Sequence, residues 1–334
     1  MLPCHRLLLA VTLTFSFAIT AYSAPKVVVG YMPIMADAQA FVILGGQTRQ
    51  TPLAGAKLIE FQDGPDIVQA ILAGQVEVAY LGVGPTMVAR AKGADIRIVA
   101  ADDIASGGLV AVGDLAHYFE SGSAQTAFAR FTKDKGRKPV ITTFPRGSVP
   151  GAVLQYWLRK VVDVDPASVN IIYQGAAQAQ QSLLTGAADA GVIPEPTSTI
   201  VTMRRPDARV VVDSAAMFPN QPGAVLVVSE KLIRQDPAYI EALVAAQIEA
   251  TALLRDHPEQ VVPAVRKYMG GGRLPADVVL QSLRNTHGSF TADPHQEIES
   301  TKKLHDFQVE QGTLTSQLNV NELFDTRFYD RQGK

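Results

Sequence analysis

The sequence predicts an α/β protein of two lobes, each a mostly parallel sheet flanked by helices, followed by a helical C-terminal extension. Three observations lead to this prediction. One segment of the chain recurs at a fixed offset, β-like and helical patterns alternate within each copy, and the chain after Ser229 shows helical patterns alone. Because strands that alternate with helices favour a parallel sheet, two copies of such a unit predict two sheets.

The internal repeat relates residues 59–100 to residues 171–212, and the two segments align without a gap. Residues of the same type, at which predicted helices and strands begin or end, occur in the same order in both segments. The matched pairs, all at one offset, are Gln62 with Gln174, Gly74 with Gly186, Glu77 with Asp189, and Arg97 with Arg209. Since a repeat defines the architecture, it takes precedence over local patterns, and here it indicates two lobes of one design.

Each copy predicts a strand, a helix, a short strand, a second helix and a final strand. In the first copy, Asp63 caps a helix that has Pro65 in its first turn, and Gly74 ends that helix in a left-handed conformation. A further β-like run precedes each copy. The predicted strands are 26–32, 57–61, 76–81 and 96–100 in the first half, and 139–144, 169–173, 188–193 and 210–212 in the second.

Two more β-like runs, Gly108–Val112 and Ala224–Val228, each follow the last strand of a copy. We interpret them as strands that cross between the lobes, with a hinge at residues 107–113 and 221–228. The tail after Ser229 has no counterpart in the second lobe, so we expect it to pack on the first. The predicted division is a signal peptide at 1–23, a first lobe of 24–108 with 224–334, and a second lobe of 109–223.

The N-terminal residues predict export to the periplasm. Arg6 is the only charged side chain before Lys26, an apolar run fills residues 7–20, and small residues precede a cleavage site near Ser23 and Ala24. The run is shorter than the roughly 20 apolar residues of a membrane-spanning helix. We therefore predict a cleaved signal and a mature chain with no integral membrane segment.

The composition excludes several kinds of protein. Cys4 is the only cysteine and lies within the signal, so the mature chain has no disulfide, thiolate metal site or cysteine nucleophile. Loss of residues 1–23, which carry one positive charge, changes the formal net charge from −2 to −3, and the basic residues are scattered. This pattern argues against a nucleic-acid partner. No standard catalytic or phosphate-binding motif occurs and the histidines do not cluster. We predict a monomer with no catalytic residue, metal or cofactor.

Four blocks resemble the substrate-binding components of nitrate/sulfonate/taurine ABC importers, a family that also includes thiamine-precursor binders. The blocks are VVVGYMP at 27–33, AGQVEVAYLGVGP at 73–85, TGAADAGVIPEP at 185–196 and GAVLVVSEKLI at 223–233. The resemblance covers nearly the whole mature chain. It implies a type II-like periplasmic-binding-protein fold, a small-molecule ligand in a cleft that closes on a hinge, and an inner-membrane ABC permease as partner.

Ligands of open parallel sheets lie beyond the carboxyl ends of the strands, and this rule selects the loop Arg146-Gly147-Ser148-Val149. The loop leads into a predicted helix, whose exposed N–H groups, beside a hydroxyl and a guanidinium, suit an anion. An ordinary serine-capped helix with a solvated arginine explains the same residues. From the anion-binding interpretation we expect a small anionic or zwitterionic organic solute, such as a sulfonate or taurine.

Acidic residues follow two other predicted strands. Glu195 lies between two prolines, where it could bind an amine, hold a water or form a salt bridge that faces the hinge. Asp103, with Asp102 before it, could contact the ligand or cap a helix. An enzyme on the same fold is the alternative that these carboxyls leave open, since a general base would have to come from among them. A protein that presents its ligand to a sensor is a further alternative.

Residues at the end of the first predicted strand complete the candidate site. Tyr31 and Met35 could line the cleft or belong to the core, and Asp37 could cap the next helix. The predicted ligand-binding residues are Tyr31, Met35, Asp37, Gly84, Pro85, Thr86, Asp103, Arg146, Gly147, Ser148, Val149, Glu195 and Met217.

Overall fold

The computed structural model describes residues 27–105 and 107–333 of the chain. The predicted signal peptide and its cleavage site lie outside the described residues. The strands are β1 (Val28–Tyr31), β2 (Lys57–Glu60), β3 (Val78–Gly82), β4 (Ile96–Ala101), β5 (Gly108–Ala111), β6 (Val140–Thr143), β7 (Asn170–Tyr173), β8 (Ala190–Ile193), β9 (Arg209–Asp213) and β10 (Ala224–Ser229). They form two sheets of five strands each.

The two sheets have the same topology, as the internal repeat predicts. The first has the order β2-β1-β3-β10-β4, and the second has the order β7-β6-β8-β5-β9. In each sheet the fourth strand is antiparallel to both of its neighbours, while the other pairs are parallel. The prediction of an α/β fold with two mostly parallel sheets is therefore confirmed.

The antiparallel strands exchange between the sheets. β5 follows β4 along the chain but lies in the second sheet, and β10 follows β9 but lies in the first. The interpretation that these strands themselves cross between the lobes is wrong, because each is paired on both edges within one sheet, where its backbone groups are satisfied. The chain crosses instead just before each strand, and the two crossing segments pair through Ile104 and Pro222.

The helices pack on the faces of the sheets and form the tail. They are α1 (Ala38–Leu44), α2 (Gly64–Leu72), α3 (Val83–Ala91), α4 (Gly113–Phe119), α5 (Ala124–Lys135), α6 (Val149–Tyr156), α7 (Ala176–Thr185), α8 (Thr197–Arg204), α9 (Ser214–Met217), α10 (Glu230–Gln235), α11 (Pro237–Asp256), α12 (Pro258–Tyr268), α13 (Ala276–Thr286), α14 (His295–Glu310), α15 (Val320–Leu323) and α16 (Arg327–Asp330). α6 continues into a π-helical turn at Trp157–Val161.

The predicted helix signals are confirmed at the matched helices α2 and α7. The Asp63 carboxylate accepts a hydrogen bond from the Asp66 N–H at 3.0 Å, and a proline occupies the first turn of α2. Gly186 ends α7 with φ +77°, and Gly74 follows the end of α2 with φ +68°. Both glycines thus supply the left-handed residue at which a helix commonly stops.

Alternation along the central strand places a hydrophobic cluster on each face of the first sheet. In β3, Val78 and Tyr80 pack into the cluster that contains α1, α11 and α12, whereas Ala79 and Leu81 face a second cluster. That second cluster extends into the second lobe, where it includes Trp157. Apolar packing is therefore continuous from the first lobe to the second.

The tail was expected to pack on the first lobe, and it contacts both lobes. α11 and α12 pack on α1 of the first lobe, and α14 packs on α3. However, α13 contacts α8 of the second lobe, and the Phe307 ring of α14 lies edge-on to Tyr156 of α6, with ring centroids 5.2 Å apart. The tail therefore joins the lobes as well as extending the first.

Candidate functional site

A pocket lies between the two lobes, and we refer to it as the interlobe pocket. The carboxyl ends of parallel strands from both sheets border it. Its lining includes Met32 after β1, Gly82 at the end of β3, Phe144 after β6 and Ile193 at the end of β8. This is the position at which open α/β sheets bind their ligands.

Two helices begin at the interlobe pocket, one from each lobe. Gly82 and Pro85 bring the first turn of α3 to its wall, and Ser148 and Val149 bring the first turn of α6. The Ser148 hydroxyl oxygen accepts a hydrogen bond from the N–H of Gly151 at 3.2 Å and so caps α6. The first N–H groups of a helix lack partners within the helix. In the described chain, however, the Val83 N–H donates to the Gly223 carbonyl at 2.9 Å, and Pro85 and Pro150 carry no N–H, so among the pocket-lining residues of these first turns Val149 has the N–H left for a ligand.

Glycine is required where the two helix starts meet. A Cβ atom on Gly84 would lie 2.7 Å from the carbonyl oxygen of Gly147 and 3.1 Å from the side-chain nitrogen of Gln308. Gly147 itself has φ +89°, a conformation that favours glycine. The first turn of α3 therefore contacts the loop before α6 directly, and any side chain at position 84 would separate the lobes.

The crossing segments supply the polar part of the interlobe pocket. Asp103 from the first crossing and Gln221 from the second line it. The Asp103 carboxylate accepts a hydrogen bond from the N–H of Ala224 at 2.7 Å, which fixes it at the start of β10. Among the described residues, the lining of this pocket contains neither lysine nor arginine. Its charges are thus one carboxyl and the partial charges of two helix starts.

Three more carboxyls are fully buried close to Asp103. Burial, followed by the neighbouring Asp37, Asp103 and Glu297, raises the pKa of Asp102 well above its usual value. Burial also raises the pKa of Asp37 and of Glu297, and Asp103 adds to both shifts. The Asp37 carboxylate accepts from the Met32 N–H at 2.7 Å. Because water is excluded and like charges are close, the neutral acid form of Asp37, Asp102 and Glu297 is favoured.

Glu195 does not line the interlobe pocket. Its side chain accepts a hydrogen bond from the N–H of Thr199 at 2.9 Å, and the Asn285 amide of α13 lies 3.4 Å from its other oxygen. Burial raises its pKa. Its backbone carbonyl accepts from the N–H of Met35 at 2.9 Å and so joins the lobes. Glu195 therefore organises the start of α8 and its contacts with the tail.

The structure brings some of the predicted site residues to the pocket and leaves others in the core. Tyr31 and Met35 belong to the hydrophobic cluster on the other face of the first sheet, and alternation along β1 turns Tyr31 away from the pocket that Met32 lines. Met217 is fully buried, and Asp37 does not cap α1, since its carboxylate bonds Met32 instead. The predicted residues that line the interlobe pocket are Pro85, Asp103, Ser148 and Val149.

Arg146 lies on the other side of the α6 start. Its guanidinium stacks over the Tyr173 ring at 5.3 Å from the ring centroid, and the side chain is exposed. Gly84, Thr86 and Gly147 lie nearby without lining the interlobe pocket, and the Thr86 hydroxyl donates to the carbonyl of Gly82 at 3.0 Å. Residue spacing brings Arg146 close to Ser148 along the chain, but the turn before α6 separates their side chains.

Several pocket residues were not identified from the sequence. Ile34, Val192 and Gly223 line the pocket. Ile34 and Val192 carry no pattern that separates a pocket wall from core. Gly223 was part of the predicted hinge, and a Cβ there would collide with the Asp103 carbonyl oxygen, so its lack of a side chain was a usable signal. Glu297, in the helical tail, carried no signal that it would be buried beside Asp103.

The fold and the interlobe pocket define a class of protein: the chain has the architecture of the substrate-binding components of ABC importers. Residues 21–265 match the sequence profile of the NMT1-like family, which is more than half of the chain. The chain belongs to the NMT1-like family. The resemblance to the binding components of nitrate and sulfonate importers is thereby confirmed.

Individual relatives agree with this assignment. A protein of Escherichia coli (strain K12) that is named for binding aliphatic sulfonates is 27% identical over 277 residues, which is 80% of this chain and 78% of that protein. The alkanesulfonate-binding protein SsuA of Xanthomonas axonopodis pv. citri, solved with MOPS, superposes with a TM-score of 0.71 at 17% identity, covering 92% of this chain and 100% of that one. The nitrate-binding protein NrtA of Synechocystis PCC 6803 gives 0.75 at 11%, covering 92% and 88%.

Two features are absent from the described part of the chain. None of its helices combines the length and apolar character that a membrane crossing needs. None of its groups of histidine, aspartate and glutamate side chains has the arrangement of a metal site.

Proposed function

We propose that the protein is the periplasmic substrate-binding component of an ABC importer and that it captures a small organic solute in the interlobe pocket. The observation that carries this proposal is the pocket itself, which is bordered by strand ends and helix starts from both lobes. A ligand there contacts both lobes at once, so its binding favours the arrangement in which they meet. The family and the relatives support the transport role, with an inner-membrane permease as partner.

We also propose that the lobes close on a hinge, with residues 24–108 and 224–334 in the first lobe and 109–223 in the second. The exchange of β5 and β10 supports this division, because it leaves two crossing segments as the covalent connections between the sheets. These segments are paired with each other through the hydrogen bond from the Ala105 N–H to the Gln221 carbonyl at 2.9 Å. Paired connections restrict the motion to bending about one line.

The chemistry of the pocket favours a zwitterionic solute over a simple anion. The helix starts at Gly82 and Ser148 suit an anionic group, as in a sulfonate or carboxylate. The Asp103 carboxyl in the same pocket suits an ammonium group and would oppose a second negative charge. The other walls are mainly apolar, including Ile34, Phe144 and Val192, so they suit a hydrocarbon body between the two charged groups.

A matched panel of ligands tests this proposal on the mature chain. Taurine carries an amine and a sulfonate, ethanesulfonate lacks the amine and ethylamine lacks the sulfonate; longer aminosulfonates and amino acids extend the series. A ligand that binds only the folded state raises the melting temperature, by the equivalent of about 2.7 kcal/mol at a hundred times Kd. We expect zwitterions to stabilise the protein more than either singly charged analogue, with the ligand recovered unchanged after incubation.

The variant Asp103→Asn distinguishes the role of the carboxyl. It should bind the zwitterion more weakly by about ten-fold or more, because a charged hydrogen bond is lost. It should bind ethanesulfonate at least as tightly as the native protein does, because a negative charge is removed from the pocket. Equal affinity of the native protein for taurine and ethanesulfonate would disprove the zwitterion assignment. Failure of every small organic solute to bind would contradict the binding function itself. Of the carboxyls that an enzyme could use as a general base, Glu195 is engaged by Thr199 and Asn285 away from the pocket, and Asp103 accepts a hydrogen bond from the Ala224 N–H.

A further inference from the structure

We propose that the protein has a second ligand site, an oxyanion site at the seam between the second lobe and the tail. A polar pocket lies there, and we refer to it as the seam pocket. Within the described chain it shares no lining residue with the interlobe pocket. Its lining includes Arg146, Gln155, Arg159 and Tyr173 from the second lobe, and Gln308 and Thr313 from the tail.

A chain of contacts holds two guanidinium groups on one wall of the seam pocket. The Arg159 Nε–H donates to Oε1 of Gln155 at 3.3 Å, and the Gln155 amide nitrogen donates to the Tyr173 hydroxyl oxygen at 3.3 Å. Arg146 stacks over the ring of the same tyrosine. The terminal nitrogens of Arg159 take no part in this series of hydrogen bonds. The Tyr173 hydroxyl oxygen acts in the series as an acceptor, so the Tyr173 hydroxyl hydrogen remains able to donate to a ligand.

The positive charge of this wall is not compensated by the protein. Neither Arg146 nor Arg159 forms an ion pair with any carboxylate of the described residues, and the seam pocket has no acidic residue in its described lining. The nearby Glu310 is occupied by Lys160, with Nζ 2.7 Å from Oε1. Two arginines on one wall, without a carboxylate, are suited to a ligand that carries several oxygens and a negative charge.

Gln308 restricts the kind of oxyanion. It is only 1% exposed, and its amide nitrogen donates to the carbonyl of Gly147 at 3.2 Å. No described residue donates to its Oε1, although the side chain lines the seam pocket. Any donor that reaches this acceptor would satisfy it, and a hydroxyl of an oxyanion bound in the seam pocket is one such donor. Inorganic phosphate carries such a hydroxyl near neutral pH and sulfate does not, so the geometry points to an oxyanion of the phosphate type.

Titration calorimetry with inorganic phosphate tests the proposal on the mature protein, in a buffer free of other oxyanions. We expect saturable binding, with sulfate binding at least several-fold more weakly. The double variant R146A/R159A should lose affinity about a hundred-fold or more, because each arginine contributes a charged hydrogen bond. Arg130→Ala is the matched control, since Arg130 is also exposed and stacks over a tyrosine, with its guanidinium 5.2 Å from the Tyr118 ring centroid.

Two conservative variants test the site without removing charge. Tyr173→Phe keeps the ring under Arg146 and should weaken phosphate binding, while Gln308→Met should abolish the preference for phosphate over sulfate. Melting curves of each variant check that it folds. Absence of phosphate binding by the native protein, or unchanged binding by R146A/R159A, would overturn the proposal. Phosphate bound in the interlobe pocket would survive R146A/R159A, so only the binding that this double variant removes belongs to the seam pocket.

Discussion

The contact between the two helix starts provides a direct test of lobe closure through the substitution Gly84→Ala. The new Cβ would lie 2.7 Å from the Gly147 carbonyl oxygen, whereas nonbonded heavy atoms are at their optimal separation from about 3.5 Å. The lobes must therefore move apart by several tenths of an ångström or more where α3 meets the loop before α6. Overpacking of this kind costs about 1–3 kcal/mol.

The cost falls on closure and not on folding of the first lobe. Position 84 lies in the first turn of α3, where alanine is a better helix former than glycine by about 1 kcal/mol. The tightest contact, with the Gly147 carbonyl oxygen, is to the backbone of the second lobe, whereas the Gln308 amide nitrogen at 3.1 Å is the far end of a flexible side chain. We therefore expect the melting temperature without ligand to stay within a few degrees of the native value. Affinity for a solute in the interlobe pocket should fall by about 5- to 150-fold.

Calorimetry with a solute identified by the ligand panel measures this loss, and small-angle scattering reports whether the protein is more extended. Gly288→Ala is the control, since a Cβ at that exposed position has no neighbour within 4 Å and its φ is not positive. If Gly84→Ala binds the solute as tightly as the native protein does, then closure does not bring α3 against the loop before α6, and the reasoning fails.

Three further predictions follow from the site. Asp102→Asn should make the protein more stable at pH 8 than the native chain and flatten the pH profile of its stability. Because the raised pKa of Asp102 means that the folded state binds more protons than the unfolded state, the contribution of Asp102 to stability falls as pH rises above about 4. Urea unfolding at several pH values measures this dependence. Ser148→Ala should lower stability by about 1 kcal/mol through loss of the α6 cap and also weaken solute binding, whereas Arg146→Ala should leave solute binding unchanged; paired calorimetry separates them. Protein isolated from the native envelope should begin near Ala24 by mass spectrometry, and recovery of intact Met1 in a membrane fraction would contradict cleavage.

The architecture could be predicted from the sequence because the internal repeat indicates two lobes with the same order of strands and helices. Asp63, Gly74 and Gly186 mark helix ends through their own local chemistry: in the structure Asp63 caps a helix, and the two glycines adopt positive φ where helices end. The paths of β5 and β10 could not be predicted in the same way, since a short apolar run fits the middle of either sheet equally well. Their exchange is decided by which sheet satisfies the backbone on both edges of the strand.

The site was less predictable, because proximity along the chain does not determine which way a side chain faces. Arg146 and Ser148 are two residues apart, yet the serine caps the helix at the interlobe pocket while the arginine lies over Tyr173 in the seam pocket. Tyr31 likewise follows the rule of strand ends, but alternation sends its side chain to the core. A strand-end rule selects loops, and the structure is needed to select side chains within them.

The strand exchange also explains why buried acids and the pocket occur together. Each crossing segment leaves the edge strand of one sheet and enters an interior strand of the other. Its backbone N–H groups therefore lie between the two hydrogen-bonded sheets. Where the second crossing enters β10, two N–H groups are satisfied by carboxyls: that of Ala224 by Asp103 at 2.7 Å and that of Gly223 by Glu297 at 3.2 Å. Carboxyls are well suited to the task because each accepts several hydrogen bonds. The same placement puts Asp103 in the wall of the interlobe pocket, so a residue required by the crossing also contributes to the choice of ligand.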